Sequence, residues 1–240
     1  MDKLYIVMPA YNEEVNIEAV VAQWHPVAEK AGPSSRVVVV DDGSKDATYR
    51  VLQELCLKYP QLVALTKKNS GHGATCLYAY RYALEQGADY VFQTDSDGQT
   101  LPEEFPPFWE LREHFDFLIG ARKARQDGFS RRMVTKVLKL VVRFIFGQNV
   151  EDANTPYRLM KAERLNELLP KIPQDFFLAN VLLSVLAVSE HIRVKWISIT
   201  FRPRQGGVNS INLKRITKIG IQAVQDFRRI KKELKSKGRA

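Results

Sequence analysis

The first 120 residues alternate between strand-like and helix-like segments, and this alternation restricts the fold more than any other feature. The predicted strands are short apolar runs at residues 4–8, 36–40, 62–67, 90–94 and 117–120. Segments with helical spacing separate them, at residues 12–30, 47–59, 71–86 and 102–114. Strands that alternate with helices in this way predict an α/β fold, in which helices flank a mostly parallel sheet with right-handed crossovers.

Each of the first four predicted strands is followed by a polar or glycine-rich cluster. The clusters lie at residues 9–13, 41–44, 69–73 and 95–97. In a parallel α/β sheet, ligands bind beyond the carboxyl ends of the strands, so these clusters mark the expected binding edge. No G-x-G-x-x-G follows the first strand and no Walker lysine motif is present, which disfavours a dinucleotide enzyme and a P-loop NTPase.

The cluster after the fourth strand contains Asp95 and Asp97, with Gln99 two residues further on. Neighbouring carboxylates repel each other, and a divalent cation removes that cost. Mg²⁺ and Mn²⁺ prefer oxygen ligands and often combine a few carboxylates with substrate phosphates. The spacing therefore favours a cation held by these three residues. A simple turn with its corner at Asp97-Gly98 is the alternative interpretation.

The net charge of +9 is unevenly distributed along the chain. Residues 1–119 hold 10 Lys/Arg and 18 Asp/Glu, whereas residues 120–145 hold 8 and 1, and residues 202–240 hold 12 and 2. Basic segments of this kind indicate an anionic partner such as a phosphate, a membrane surface or a nucleic acid, unless they are only solvated helix faces. The acidic first half and the lack of a recognition-helix motif disfavour a nucleic acid.

Residues 209–240 are predicted to form a basic amphipathic helical extension of a domain that spans residues 1–208. Apolar residues recur there with helical spacing between Leu213 and Leu234, so they form one stripe along the helix. The stripe has three interpretations. It packs on the body of the same chain, it lies in an anionic membrane surface, or it pairs with another chain in a homo-oligomer.

The sequence favours a cytoplasmic protein. No apolar run reaches the roughly 18 residues that a membrane-spanning helix requires. The start of the chain lacks the pattern of a signal peptide, because charged residues lead directly into a strand. Both cysteines, Cys56 and Cys76, lie in apolar segments, which is typical of core thiols in a reducing compartment.

The strand-end motifs together resemble those of the family 2 glycosyltransferases, which have the GT-A fold. The motifs are Pro9-Ala10-Tyr11-Asn12-Glu13-Glu14, Val40-Asp41-Asp42-Gly43-Ser44, Gly71-His72-Gly73-Ala74 and Asp95-Ser96-Asp97. Later motifs are similar to those of the dolichol- and polyprenyl-phosphate sugar transferases, the dolichyl-phosphate mannosyltransferases among them. These are Gln99, Gly120-Ala121-Arg122, Asp152, Pro156-Tyr157-Arg158-Leu159 and Phe201-Arg202-Pro203-Arg204 with Gly207 and Ser210.

The resemblance implies roles for the matching residues. The nucleotide-sugar donor would be bound by Pro9, Ala10, Tyr11, Glu13, Asp41, Asp42, Asp95 and Ser96. Mg²⁺ or Mn²⁺ and the donor diphosphate would be held by Asp95, Asp97 and Gln99. The phosphates of the donor and the acceptor would be bound by Arg122, Arg158, Arg204 and Ser210. Arginine suits this role because its planar fork binds two phosphate oxygens at once, although each arginine could instead form an ion pair within the protein.

The implied reaction is an inverting, metal-dependent transfer of a sugar from a UDP- or GDP-linked donor to undecaprenyl or dolichyl phosphate. A phosphate acceptor is already largely ionised at neutral pH, because its second pKa is about 6, and it needs no general base. The alternative is a hydroxyl acceptor in the synthesis of a cell-envelope polysaccharide, which does need a base. The candidate bases are Asp152 and Asp175. Together with the metal-binding pair Asp95 and Asp97, Asp152 completes the set of catalytic candidates.

Because the lipid acceptor lies in a membrane, the enzyme is expected to be peripheral on the cytoplasmic face. The two basic segments would make the contact with an anionic bilayer.

Overall fold

A seven-stranded sheet forms the centre of the computed structural model, which describes residues 1–122, 139–203 and 222–232. The strands are β1 (Leu4–Ala10), β2 (Arg36–Asp41), β3 (Leu62–Thr66), β4 (Tyr90–Gln93), β5 (Phe117–Arg122), β6 (Arg158–Lys161) and β7 (Val194–Ile199). They lie in the order β3-β2-β1-β4-β6-β5-β7. Only β6 is antiparallel to its neighbours, so the mostly parallel sheet predicted from the sequence is confirmed.

Helices cover both faces of this sheet. In the described part of the chain they are α1 (Ile17–Ala31), α2 (Thr48–Lys58), α3 (His72–Glu85), α4 (Pro106–Glu110), α5 (residues 139–146), α6 (Ala162–Leu168), α7 (Ala179–Ser189) and α8 (residues 222–232). Short 3₁₀ turns lie at Pro102–Glu104 and Leu169–Lys171. Strands that are covered on both faces read as continuous apolar runs, which explains the four consecutive valines of β2.

Two apolar layers enclose the sheet, one on each face. Because successive strand residues point to opposite faces, Tyr5 and Val7 of β1 pack with α3, α6 and α7. Leu4, Ile6 and Met8 pack instead with α1 and α2. This arrangement fixes the carboxyl ends of β1, β2 and β4 side by side at one edge of the sheet.

Two helices differ from the sequence prediction. The helix predicted from Asn12 begins at Ile17, because Asn12 has a positive φ of 55° and residues 12–14 bond to the loop after β2. The helix predicted over residues 102–114 is a 3₁₀ turn followed by the five-residue α4. Prolines 106 and 107 lack the amide donors that would continue a helix across this boundary.

The short antiparallel strand β6 and helix α6 were absent from the sequence prediction. Four residues give too little alternation to identify a strand, and β6 is recognisable only from its pairing with β4 and β5. Its insertion between β4 and β5 brings Arg158 directly opposite Gln93, the last residue of β4.

The described part of the predicted C-terminal extension is the helix α8. Its apolar residues Ala223, Phe227 and Ile230 are buried. The ring of Phe227 lies 5.6 Å from that of Phe146 and 5.8 Å from that of Phe176, measured between centroids. In residues 222–232 the stripe therefore packs on the body of the same chain. The boundary predicted between residues 208 and 209 lies outside the described residues.

Candidate active site

Loops that follow β1, β2, β3 and β4 meet at the carboxyl edge of the sheet. The Asp42 amide donates to the Ala10 carbonyl oxygen (2.8 Å), and the Ser96 hydroxyl donates to the Pro9 carbonyl oxygen (2.8 Å). The Lys67 amide donates to the Asp41 carbonyl oxygen (3.1 Å). Three of the strand-end motifs are thus joined by direct hydrogen bonds, as expected for neighbouring parallel strands.

The loop after β1 is fastened to the loop after β2. The Asn12 amide donates to Ser44 Oγ (2.9 Å), and the Lys45 amide donates back to Asn12 Oδ1 (2.8 Å). The Glu13 amide donates to Thr48 Oγ1 (2.8 Å), and the Glu13 side chain is buried. Tyr11 remains 41% exposed between these contacts, so its ring is available to a ligand at this edge.

Of the predicted donor-binding residues in this region, Pro9 and Ala10 are buried in β1 and can present only backbone and small apolar surface. Ser96 is also buried, and its hydroxyl is used within the protein. The structure brings these residues together with Tyr11 and Glu13, while their contacts with a donor remain a prediction.

Asp41 and Asp42 both organise the backbone around them. Asp41 accepts from the Thr66 hydroxyl (2.8 Å). Asp42 accepts from the Ser70 amide (2.9 Å) and the Gly71 amide (2.8 Å), and it forms an ion pair with Lys67.

Burial by itself would raise the pKa of Asp42, but the hydrogen bonds from Lys67 and Ser70 outweigh this effect and lower the pKa below its usual value. Asp42 is therefore an ionised anchor that holds the glycine-rich loop before α3. A contact of Asp42 with the nucleotide-sugar donor, which the resemblance implies, would use a carboxylate that already accepts these hydrogen bonds.

Asp95 and Asp97 lie just beyond the last residue of β4. The Asp95 side chain is 24% exposed, and its Oδ1 lies 3.1 Å from His72 Nε2 at the start of α3. Asp97 is partly exposed, and its Oδ1 accepts from the Gln99 amide (3.1 Å). Ser96, between them, points inward to Pro9. The two carboxylates are thus placed where a cation and a diphosphate could reach them.

Gln99 is buried and holds the segment that follows β7. Its side-chain Nε2 donates to the Arg202 carbonyl oxygen (2.7 Å), and the Arg202 amide donates to the Gln99 carbonyl oxygen (2.9 Å). These contacts bring the Phe201-Arg202-Pro203 motif to the same edge as the aspartates. Metal ligation by Gln99 remains a prediction.

The chemistry of the donor set fits a hard divalent cation. Across the ranges that the structure describes, no three His, Cys, Asp or Glu side chains cluster in a metal-binding arrangement. Mg²⁺ and Mn²⁺ do not require such a cluster, because they are often held by one or two carboxylates together with substrate phosphates. Asp95 and Asp97 supply that number of carboxylates at the binding edge.

His72 contacts Asp95 directly, which its position in the sequence did not indicate. The Cys76 sulfur, 3.8 Å from His72 Nδ1, and the Asp95 carboxylate both raise the pKa of His72 well above its usual value. His72 thus lies directly beside one of the two carboxylates predicted to hold the cation. The signal in the sequence was the i, i+4 spacing of His72 and Cys76, which places both on one face of α3.

Arg122 and Asp152 form a bidentate ion pair close to this edge. Arg122 Nε lies 2.7 Å from Asp152 Oδ2, and Arg122 Nη2 lies 2.7 Å from Asp152 Oδ1. Each side chain is only 9% exposed. The structure therefore joins the predicted phosphate-binding arginine to the predicted catalytic base.

Arg158 is placed differently from the prediction. Its side chain is fully buried, and its N–H groups donate to the carbonyl oxygens of Ala153, Thr155 and Asn180 at 2.7–3.2 Å. Enclosure of this kind leaves no guanidinium surface for a phosphate, so the predicted phosphate contact is corrected to a structural role. The pairing of β6 inside the sheet distinguishes a structural arginine from a phosphate-binding one, and the sequence did not reveal this pairing.

The remaining predicted residues are distributed as follows. Asp175 is exposed in the loop before α7. That loop lies against the start of α3, since a Cβ on Gly73 would come within 2.3 Å of the Phe176 carbonyl oxygen. Arg204 and Ser210 lie outside the described residues.

The mostly parallel sheet with flanking helices and the acidic strand end after β4 are those of a GT-A fold, and comparisons with known proteins agree on the fold. Residues 5–173 match the family described as glycosyl transferase family 2. The match covers well over half of the chain, so the protein belongs to this family and is a glycosyltransferase.

Curated relatives of this chain are polyprenyl-phosphate enzymes by name. It is 28% identical over 216 residues to the polyprenol monophosphomannose synthase of Mycolicibacterium smegmatis, covering 86% of this chain and 80% of the relative. It is 26% identical over 235 residues to the undecaprenyl-phosphate mannosyltransferase of Micrococcus luteus, covering 92% and 95%.

Solved structures confirm the GT-A fold. The glucosyl-3-phosphoglycerate synthase of Mycobacterium tuberculosis, crystallised with Mn²⁺, UDP-glucose and phosphoglyceric acid, superposes with a TM-score of 0.68 at 17% identity. The alignment covers 96% of this chain and 79% of that one. At this identity the likeness concerns the fold alone.

Proposed function

We propose that this glycosyltransferase transfers a sugar from a nucleotide-sugar donor to a polyprenyl phosphate, with Mg²⁺ or Mn²⁺ held by Asp95 and Asp97. The observation that carries the proposal is the convergence of the loops after β1, β2 and β4 at one edge, where these two carboxylates are accessible. The names of the curated relatives support a polyprenyl phosphate acceptor. The nucleotide could be uridine or guanosine diphosphate.

Different residues of the chain would serve different parts of the reaction. The cation, when bound, would stabilise the negative charge that builds up on the departing diphosphate. Asp95 and Asp97 would hold it, and the His72 ring, 3.1 Å from Asp95, would lie beside the same phosphates. The exposed ring of Tyr11 would cover the nucleotide at the end of β1. Attack from the opposite side of the sugar would invert the anomeric centre.

The Arg122–Asp152 ion pair favours a phosphate acceptor over a hydroxyl acceptor. A hydroxyl needs a general base, and a carboxylate that is held by both nitrogens of a guanidinium is a poor proton acceptor, because the pair stabilises its ionised form. A phosphate monoester needs no base. Asp175 is the exposed carboxylate that a hydroxyl-transferring mechanism would use instead.

We further propose that the protein reaches its lipid acceptor as a peripheral protein on an anionic membrane. In the described part of the chain, no helix has the length and hydrophobicity to cross a membrane. Leu140 and Phe144 of α5 point outward, one helical turn apart, and are 65% and 83% exposed. A basic cleft adjoins them, lined by Phe144, Ile145, Arg228, Lys231 and Lys232.

This surface lies within the two basic segments expected from the sequence, but its exposed apolar residues belong to α5 and not to residues 222–232 of α8. The apolar stripe of α8 is buried, so α8 can contribute only its cations. Lys231 is fixed by a hydrogen bond to the Ile145 carbonyl oxygen, at the end of α5. An apolar pair on α5 beside cations on α8 fits a bilayer with anionic headgroups, because each basic residue near such a surface adds attraction. Self-association and a cytoplasmic location remain part of the proposal.

The proposed reaction is tested with the purified chain, Mn²⁺ and radiolabelled UDP- and GDP-sugars, using a short-chain prenyl phosphate and the matching prenyl alcohol as acceptors. We expect transfer to the phosphate only, and loss of transfer in a chelator. Equal transfer to the alcohol would favour the hydroxyl-acceptor alternative.

Membrane binding is tested by flotation with phosphatidylglycerol-containing and purely phosphatidylcholine vesicles. The variant Leu140→Ser/Phe144→Ser should float poorly. Leu57→Ser removes an exposed leucine from α2 and serves as the control. Equal flotation of all three proteins would contradict this membrane surface.

A further inference from the structure

A buried polar network lies directly beneath the candidate metal site. The Tyr80 hydroxyl donates to Gln93 Oε1 (2.7 Å) and lies 2.9 Å from Asn180 Oδ1. The Asn180 carbonyl oxygen accepts from Arg158 Nη1 (3.1 Å) and from the Ser184 hydroxyl (2.9 Å). These five side chains are at most 3% exposed. The network joins α3, β4, β6 and α7 at one point.

Gln93 connects this network to the aspartates. It is the last residue of β4 and the last one paired across to β6, and Asp95 follows two residues later. Beyond Gln93 the chain is guided by the Thr94 amide, which donates to the Val7 carbonyl oxygen (3.1 Å). The Thr94 and Thr100 hydroxyls, 2.6 Å apart, close the base of the loop. The Gln93 side chain is thus anchored at the residue after which the chain leaves the sheet.

Helix α3 contacts this strand end at two points on one face. His72, Cys76 and Tyr80 have i, i+4, i+8 spacing, so they form one row along the helix. Tyr80 holds Gln93 within the core, and His72 meets Asp95 at the surface. The row therefore contacts the end of β4 in the core, through Tyr80, and the loop after it at the surface, through His72.

Within this network, Tyr80 is the residue that holds the Gln93 side chain. Gln93 Nε2 has no hydrogen-bond partner in the described residues, so the carboxamide of Gln93 is held through Oε1 by Tyr80. Without the Tyr80 hydroxyl, Oε1 of this buried amide would also lose its hydrogen bond. A buried network keeps a single geometry only while its members are satisfied.

We propose that Tyr80 is a positioning residue for the metal-binding aspartates: through Gln93 it holds the end of β4 at the depth that aligns Asp95 and Asp97. The inference rests on the proposed metal-dependent function and names a residue that touches neither metal nor substrate.

The test compares Mn²⁺ binding in the presence of UDP or GDP, followed by electron paramagnetic resonance of free Mn²⁺ against a protein-free nucleotide sample, in the wild-type protein and in Tyr80→Phe. This variant keeps the ring and removes only the hydroxyl. Residues that orient metal ligands typically contribute about 10- to 100-fold to metal affinity, so we expect a loss of about 10-fold or more. The control is Tyr82→Phe, which removes a hydroxyl from a half-buried position on the same helix and should change the affinity less than about twofold.

A second variant tests the route through Gln93. Gln93→Met keeps the length of the side chain and removes its acceptor, so it should reproduce the loss of Mn²⁺ affinity even if Tyr80→Phe does not fold. In the Gln93→Met background, adding Tyr80→Phe should reduce the affinity no further, because both changes break one connection.

Three outcomes are informative. If Tyr80→Phe melts at a lower temperature but binds Mn²⁺ within twofold of wild type, while Asp97→Asn loses binding, Tyr80 is only structural and the inference is overturned alone. If the effects of the two changes multiply in the double variant, the route through Gln93 is overturned. If the wild-type protein binds no Mn²⁺ in the presence of either nucleotide, the metal site of the proposed function fails together with the inference.

Discussion

Arg122 and Asp152, which lie 30 positions apart in the chain, face each other with two N···O distances of 2.7 Å and are almost completely shielded from water. Arg122 ends β5, and its guanidinium also lies 5.1 Å from the ring centroid of Phe201 after β7. The pair therefore fastens the loop that contains Asp152 to the strand edge beside the candidate site. We therefore propose an electrostatic and structural role for Asp152.

We expect Asp152→Asn to lower the free energy of unfolding by about 3 kcal/mol, because it leaves a buried arginine without its counterion. The acid limb of the pH profile of kcat/KM should stay where it is in wild type, since Asp152 holds no catalytic proton. Denaturant unfolding and pH-dependent kinetics check the two statements. The double variant Arg122→Met/Asp152→Leu should regain most of the stability. Loss of the acid limb in Asp152→Asn would instead identify it as a base.

We expect Asp97→Asn to reduce transfer at least about 100-fold, because the removal of a charged metal ligand weakens stabilisation of the leaving diphosphate. Its melting temperature should change little. The matched control is Asp89→Asn, since Asp89 also accepts one backbone amide, that of Lys3, at the start of β4. Transfer assays with and without a chelator, together with thermal melts, provide the measurement. Full activity of Asp97→Asn in chelator would contradict the metal role.

The pKa of Asp42 should respond strongly to Lys67. Burial is the largest influence and raises the pKa, so Lys67→Met should move the pKa upward from its lowered value. Because the folded-state pKa is below the unfolded one, the carboxylate stabilises the protein above the unfolded value of about 4, and this stabilisation is lost as the pH falls through the folded pKa. Carboxyl ¹³C NMR titration gives the pKa directly. An unchanged value in Lys67→Met would show that the amides of Ser70 and Gly71 suffice.

Two phenylalanines on neighbouring helices should behave oppositely. Phe227→Ala should cost about 3 kcal/mol or more, because Phe227 is fully buried between Phe146 and Phe176. Phe144→Ala should change stability by less than about 0.5 kcal/mol, since that ring is 83% exposed. Vesicle flotation should show the reverse pattern, with the larger loss in Phe144→Ala. A large loss of flotation in a folded Phe227→Ala protein would place the α8 stripe in the membrane.

Much of the fold follows from local sequence patterns. Each strand of the parallel half was predicted to within two residues at its ends, because β2 and its neighbours are continuous apolar runs bounded by turn residues. The four strand-end clusters were predicted for the same reason, since parallel strands must present their carboxyl ends at one edge. Asp95 and Asp97 thus come to the expected place.

The prediction that failed, the phosphate contact of Arg158, depends on contacts between distant segments. Arg158 follows a proline-tyrosine motif, and nothing local distinguishes a phosphate-binding arginine from a buried one. Its role is decided by β6, which inserts between β4 and β5 and encloses the guanidinium with backbone carbonyl groups. For the stripe of α8 the sequence left three interpretations open, and contacts with the distant Phe146 and Phe176 decide for packing on the same chain in residues 222–232.

The sequence by itself determined the α/β class, the sheet edge at which the polar clusters meet and the acidic pair beyond β4, because strand periodicity and strand-end chemistry are local properties of the chain. The tertiary structure alone decided the partners of charged and buried polar groups: Arg122 with Asp152, Lys67 with Asp42, and Tyr80 with Gln93. Each of these pairs joins segments 13 to 30 residues apart. The free energy of such a contact depends on burial and geometry, which exist only after the sheet and its helices have assembled.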